Sequence, residues 1–168
     1  MNFKICLKKY SDIISQNSTN LSDQFIDYRY VGSEEFLKEY FVNDYLEGAL
    51  VLNQNNGSLF DLSKWDLVDQ LLCYLVNALH EVFLDSRKMS VFFYPDQPIE
   101  VSVTKLHSVV LFADSFGSKV TLNDWDLLNL LNEIEAFFNY FREMTDSNSL
   151  VSYEIMIKEI LSSVRFSS

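Results

Sequence analysis

Glycine, proline and cysteine are scarce in this 168-residue chain, at four, two and two residues. With 48% hydrophobic and 15% aromatic residues, that scarcity excludes a collagen-like chain, a flexible linker and a disordered tail. Two cysteines exclude a disulfide framework and any zinc ribbon or finger. No apolar run approaches the roughly 18–20 residues that span a bilayer. The stretch MNFKICLKKYSD sets lysines on both sides of a very short apolar patch, which does not fit a signal peptide. Gly32, Gly48, Gly57 and Gly117 stand alone, so there is neither a phosphate-binding loop nor a dinucleotide fingerprint. A Gly-x-Ser-x-Gly nucleophile elbow and a His-x-x-x-His pair are also missing, and the acids of 61–69 lack the order of a calcium loop. What is left is one soluble, cytoplasmic domain over 1–168, long enough to bury roughly 70% of its unfolded surface without a metal or disulfide. No cofactor is expected.

Positive charge is also in short supply. Thirteen Lys and Arg face 24 Asp and Glu, for a net charge of −11. The acids are spread along the chain rather than gathered in a tail. Only 1–10 (Lys4, Lys8, Lys9) and the pair Arg87-Lys88 are basic. A field of this sign repels nucleic acid and anionic membranes, and it attracts a basic protein. It also serves plain solubility.

The chain repeats itself once. Residues 57–67, GSLFDLSKWDL, return as 117–127, GSKVTLNDWDL. Each copy reads as a Gly-Ser turn, a short strand and a helix start. Ser63 and Asn123 stand as N-caps, with Asp66 and Asp126 three positions on in a capping-box-like place. Upstream strands at 45–52 and 107–113 complete two strand–turn–strand–helix units, which can share one antiparallel sheet. The first helix is expected over 64–84, apolar nearly all round and so central. The second is expected over 124–144 and has a wetter side. Further strands are expected at 2–10, 24–31, 89–94 and 99–106, the last two joined by the connection Pro95-Asp96-Gln97-Pro98. Ser33 is expected to cap a short helix to about 41. The tail, 150–166, has helical spacing, although LVSYEIMI also suits a strand. The fold class is α+β: a mostly antiparallel sheet with two or three helices packed on it.

Candidate chemistry is thin. Cys6 shares a strand face with Lys4 and Lys8, which would lower its pKa, yet no histidine follows at a recognisable spacing, and Cys73 lies in the apolar helix. His80 and His107 are lone histidines. The densest acidic stretch holds Glu34, Glu35, Glu39, Asp44 and Glu47, with Tyr40 and Tyr45 among its aromatics. Acids steer a basic partner and aromatics anchor it, so Glu34, Glu35, Glu39, Tyr40, Asp44, Tyr45 and Glu47 are the candidate binding residues. The plainer reading turns the aromatics inward and the acids to water.

In the stretches DYLEGA (44–49), WDLVDQL (65–71) and YPDQPIE (94–100), and in its small, acidic, aromatic-rich, motif-free character, the chain resembles the immunity proteins of bacterial polymorphic-toxin and contact-dependent growth inhibition systems. That resemblance implies a non-enzymatic inhibitor that binds a basic cognate toxin domain, typically a nuclease, and blocks its active site. The chain would act as a monomer or homodimer, without nucleic acid, membrane or metal. The alternative is a small-molecule-binding domain or enzyme whose site forms only in three dimensions, with Cys6, His80 and His107 as first suspects.

Overall fold

The computed structural model describes residues 1, 3–9, 20–32, 46–52, 59–146 and 148–164. The fold is α+β, and its strands form two antiparallel four-stranded sheets. The first sheet contains β1 (Phe3–Lys8), β2 (Phe25–Asp27), β3 (Glu47–Leu52) and β4 (Asp66–Leu67) in the order β2-β1-β3-β4. The second is a meander of β5 (Met89–Phe93), β6 (Glu100–Leu106), β7 (Val109–Asp114) and β8 (Lys119–Asn123). The helices among the described residues are α1 (Val68–Phe83), α2 (Asp124–Thr145) and α3 (Val151–Ser163). None is long and apolar enough to cross a membrane.

Helix α1 is central for the reason its composition suggests. Val68, Leu71, Leu72, Cys73, Leu75, Val76, Ala78, Leu79 and Val82 are all buried. It packs on β5 and β6, on α3, and on the β3–β4 end of the first sheet. Helix α2 buries Leu127, Leu130, Leu131, Ile134, Phe137, Phe138 and Phe141, an i, i+3, i+4 stripe that lies against β1, β8 and α3. Tyr28 meets Phe137 edge-on at 5.3 Å between centroids, and Phe60 meets Phe112 at 5.8 Å, tying the 59–60 segment to the second sheet. Fully burying one such side chain contributes about 1.5–3 kcal/mol. Gly48 is required where β3 crosses the start of α1. A Cβ there would be in hard contact with the Cys6 carbonyl oxygen and 3.0 Å from Val68 Cγ1.

The two repeat copies take different structures. The second is strand, turn, strand, helix: β7, a turn with Gly117 at φ +93°, β8 and α2. Asn123 caps α2 as expected, its Oδ1 accepting from Asp126 N–H at 2.9 Å. The first copy lacks the second strand. Where β8 has Val120-Thr121, it has Phe60-Asp61, and Asp61 favours a turn over a strand. Asp61 accepts from the Ser63 N–H at 2.8 Å and starts a single 3-10 turn, Leu62–Lys64. Ser63 is therefore not an N-cap, and α1 begins at Val68 rather than 64. The intervening 65–67 are held extended, because Asp66 and Leu67 pair with Gly48 and Glu47, and Val68 N–H donates to the Leu46 carbonyl at 2.9 Å. The two units thus sit in different sheets.

Other expected elements are shortened. The strand at 24–31 is only Phe25–Asp27, followed by a 3-10 turn over Tyr28–Tyr30 capped by Asp27. His107 is not in a strand. It occupies the β6–β7 turn at φ +39°. The tail is a helix, since Ile157 and Ile160 are buried at helical spacing. The short helix expected from Ser33 lies outside the described residues.

The two copies are joined by a buried ion pair. Lys64 Nζ, at the end of the first copy's turn, reaches Asp114 Oδ2 at 2.5 Å and Ser118 Oγ at 3.2 Å. The Asp114 side chain is wholly buried, and its Oδ1 accepts from the Phe116 and Ser118 N–H groups at 2.9 and 2.8 Å. Burial opposes ionisation, but Lys64 and Ser118 outweigh it and hold the carboxyl below its usual range. Its contribution to stability is therefore complete above the unfolded-state value near pH 4 and is lost as pH falls through the lower folded-state value. Asp114→Asn is expected to cost about 3 kcal/mol in urea unfolding at pH 7. The gap from the parent should narrow steadily toward pH 2.

Candidate protein-binding face and cleft

The outer face of the second sheet is formed by alternate residues of four strands. The register sets Met89 against Thr104, Val91 against Ser102 and Phe93 against Glu100, then Thr104 against Leu111, Leu106 against Val109 and Ser102 against Ala113. Lys119 and Thr121 of β8 complete the same face beside Ala113 and Leu111. The opposite face, with Phe92, Val101, Val103, Val110 and Phe112, is core. In an antiparallel sheet with one buried face, the other is ordinarily polar. Here its outermost strand, β5, is apolar with Met89, Val91 and Phe93, and Glu100, Ser102 and Thr104 of β6 stand beside them, in a chain of charge −11. Phe93 is 57% exposed, Met89 55% and Leu106 44%. Glu100 and Lys119 are its charged members, at the strand ends. Phe116, 69% exposed, stands on the β7–β8 turn that Asp114 braces. Large exposed apolar side chains grouped in this way mark interaction sites.

The β5–β6 hairpin joins this face to a cleft. The Asp66 carboxylate accepts from the N–H groups of Asp96 and Gln97 at 3.0–3.1 Å, and from its neighbour Leu67 at 2.7 Å. Burial raises the Asp66 pKa, and these donors offset part of that rise. The same carboxylate that sequence reading places in a capping box thus moors the two-proline turn. Between this turn and the end of β3 lies a cleft of about 360 Å³ lined by Glu47, Ser63, Trp65, Asp66, Leu67, Asp96 and Gln97. Lys8 Nζ sits 3.1 Å from the centre of the Trp65 ring and 2.8 Å from Glu47 Oε2. The cleft therefore combines carboxylates with an aromatic wall.

Of the candidate binding residues, the structure places Glu47 at this cleft. Glu34, Glu35, Glu39, Tyr40, Asp44 and Tyr45 lie outside the described residues. Sequence reading missed the apolar face itself. MSVFFY reads as a strand, but with apolar residues at nearly every position it does not show which side meets water.

The suspects for a catalytic centre are scattered. Burial, aided by Asp27, pushes the Cys6 thiol up to about 11, against the lowering expected from lysines. Lys4 offsets this only in part, and Lys8 is engaged by Glu47 and Trp65. Cys73 is pushed up to about 12 by burial and by Asp69. His80 Nε2 lies 2.9 Å from Glu159 Oε2, linking α1 to α3. His107 lines a separate cavity of about 310 Å³ with Lys105 and Asp124. Among the described residues no group of three His, Cys, Asp or Glu is placed to hold a metal. No family model, curated protein or solved structure matches the chain.

Two outcomes follow for measurement. Asp66→Asn weakens the acceptor of the hairpin, so hydrogen exchange at the Asp96 and Gln97 amides should accelerate roughly tenfold, for about 1.4 kcal/mol of lost local stability. Both thiols should react with a disulfide reagent at pH 8 roughly 100-fold more slowly than free cysteine, because little thiolate is present.

Proposed function

We propose that this chain is a non-enzymatic inhibitor of the immunity type, which works in the bacterial cytoplasm by docking on a basic toxin domain, of nuclease class, and covering its active site. The observation that carries this reading is the set of exposed apolar side chains on the outer face of the second sheet, whose β5–β6 turn lines the carboxylate- and Trp65-walled cleft. Apolar and aromatic side chains supply contact energy at the centre of an interface, and charge supplies steering toward a basic surface. The exposed Asp96 carboxylate at this cleft has the chemistry to pair with the Lys and Arg side chains by which a nuclease holds phosphate, while Glu47 is held by Lys8 and Asp66 by the hairpin amides. The net charge of −11 gives the long-range attraction.

Affinity capture from the host at low salt should recover one basic protein in near-equal amount, with a nuclease activity that added chain suppresses. Charge reversals at Glu34, Glu35, Asp44 and Glu47 should slow its association at low salt, with an unchanged melting temperature for the first three and a lowered one for Glu47, whose partner is Lys8. Leu106→Glu and Phe116→Ala, checked for parental melting, should weaken binding roughly tenfold or more. A captured partner that keeps full activity in the complex, or that binds all these variants like the parent, would refute the reading.

A further inference from the structure

Sheet edges expose unpaired N–H and C=O groups, and proteins protect them by shortness, charge, proline or a bulge. Three of the four edges here are protected. In the first sheet β2 has three residues and β4 two. In the second, β8 presents Lys119, Thr121 and Asn123 to solvent. The fourth edge, β5, has none of these devices. Its sequence, Met-Ser-Val-Phe-Phe, has no charge and no proline. Its pairing with β6 runs from Met89–Thr104 to Phe93–Glu100 without a bulge.

The direction of its free groups follows from one bond. Tyr94 N–H donates to the Ile99 carbonyl at 2.9 Å. Hydrogen-bonded and non-hydrogen-bonded pairs alternate in an antiparallel ladder. Phe92 and Ser90 therefore bond to β6, and the N–H and C=O groups of Met89, Val91 and Phe93 point to the open edge. These are also the residues whose side chains stand on the apolar outer face.

We infer that β5 pairs with β5 of a second copy, antiparallel about a two-fold axis through Val91, joining two second sheets into one continuous sheet. The strand is self-complementary in that register. Val91 faces Val91, and Met89 faces Phe93 at either end, so every outward amide group meets a partner and the exposed apolar side chains pair across the seam. An axis through Ser90 or Phe92 also opposes outward groups but engages only two of the three outward residues of each strand, whereas the Val91 register engages all three. Charge selects a second copy as well. Lys88, which leads into β5, would run close to Asp96, which follows it, at both ends of the seam, while Arg87 is held by Glu81 of its own chain at 2.9 Å. Elsewhere two chains of charge −11 repel each other. The groove of about 270 Å³ that Tyr74, Asn77 and Ala78 of α1 form along β5 would then lie at the seam, next to its symmetry mate. This dimer stands apart from the inhibitor reading, since most of the outer face stays open on both copies.

The test is solution mass together with a cross-link. The parent should sediment at twice 19.6 kDa in the micromolar range. Val91→Lys should sediment at 19.6 kDa with an unchanged circular dichroism spectrum. Val91→Cys should be joined into a covalent dimer by a short bismaleimide, whereas the parent and Thr121→Cys, on the other edge, should not. A parent of single-chain mass throughout that range, or a Val91→Lys variant that keeps the double mass, would overturn the proposal. If Val91→Lys fails to fold, the cross-link decides, and a Val91→Cys protein that stays uncoupled overturns it.

Discussion

A helix that is apolar around most of its circumference has to be covered on every side, and α1 imposes that requirement on the rest of this chain. Its buried residues occupy successive turns on several faces. One flank is taken by β5 and β6, another by α3, and its first turn by β3 and β4. No single sheet covers more than one side of a helix, so the strands divide into two sheets. The buried anchors serve the same end. Asp66 ties the entry of α1 to the β5–β6 hairpin, and Lys64 ties the segment before it to the β7–β8 turn.

The repeat shows how far local sequence reaches. Trp-Asp-Leu occurs at 65–67 and 125–127, but only the second copy stands at the start of a helix. In that copy the capping residue, the β-branched strand and the glycine turn all agree with the tertiary setting. In the first, the Asp66 carboxylate is claimed by backbone groups thirty positions away in sequence, and the local signal loses to that contact. Equal motifs therefore gave equal expectations and unequal structures.

Most of the fold was legible. The α+β class, both long helices, the second-sheet strands and the helical spacing of the tail follow from periodicity and turn residues. Periodicity alone could not assign strands to sheets, because a β-strand with two apolar faces carries no mark of its solvent side. That is the case for β5, whose alternate residues Met89, Val91 and Phe93 are exposed while Ser90 and Phe92 are buried. The polar Ser90 faces inward, where its hydroxyl donates to Glu81 at 2.5 Å. The one polar residue of that strand thus points the opposite way from simple expectation. In the cleft, Glu47 was legible as an acid in an acidic run. Its company, Trp65 and Asp96, comes from distant segments and was not.

The apolar face and the surplus of carboxylates act over different distances. Charge repulsion between copies extends about 8–10 Å at physiological ionic strength, while the face of Met89, Phe93, Leu106 and Leu111 acts only on contact. Colloidal behaviour therefore turns on salt. In dilute buffer the field opposes contact between copies, so any pairing along β5 has to overcome it. In concentrated salt the field collapses and the face remains, so added salt favours contact between copies of this acidic protein.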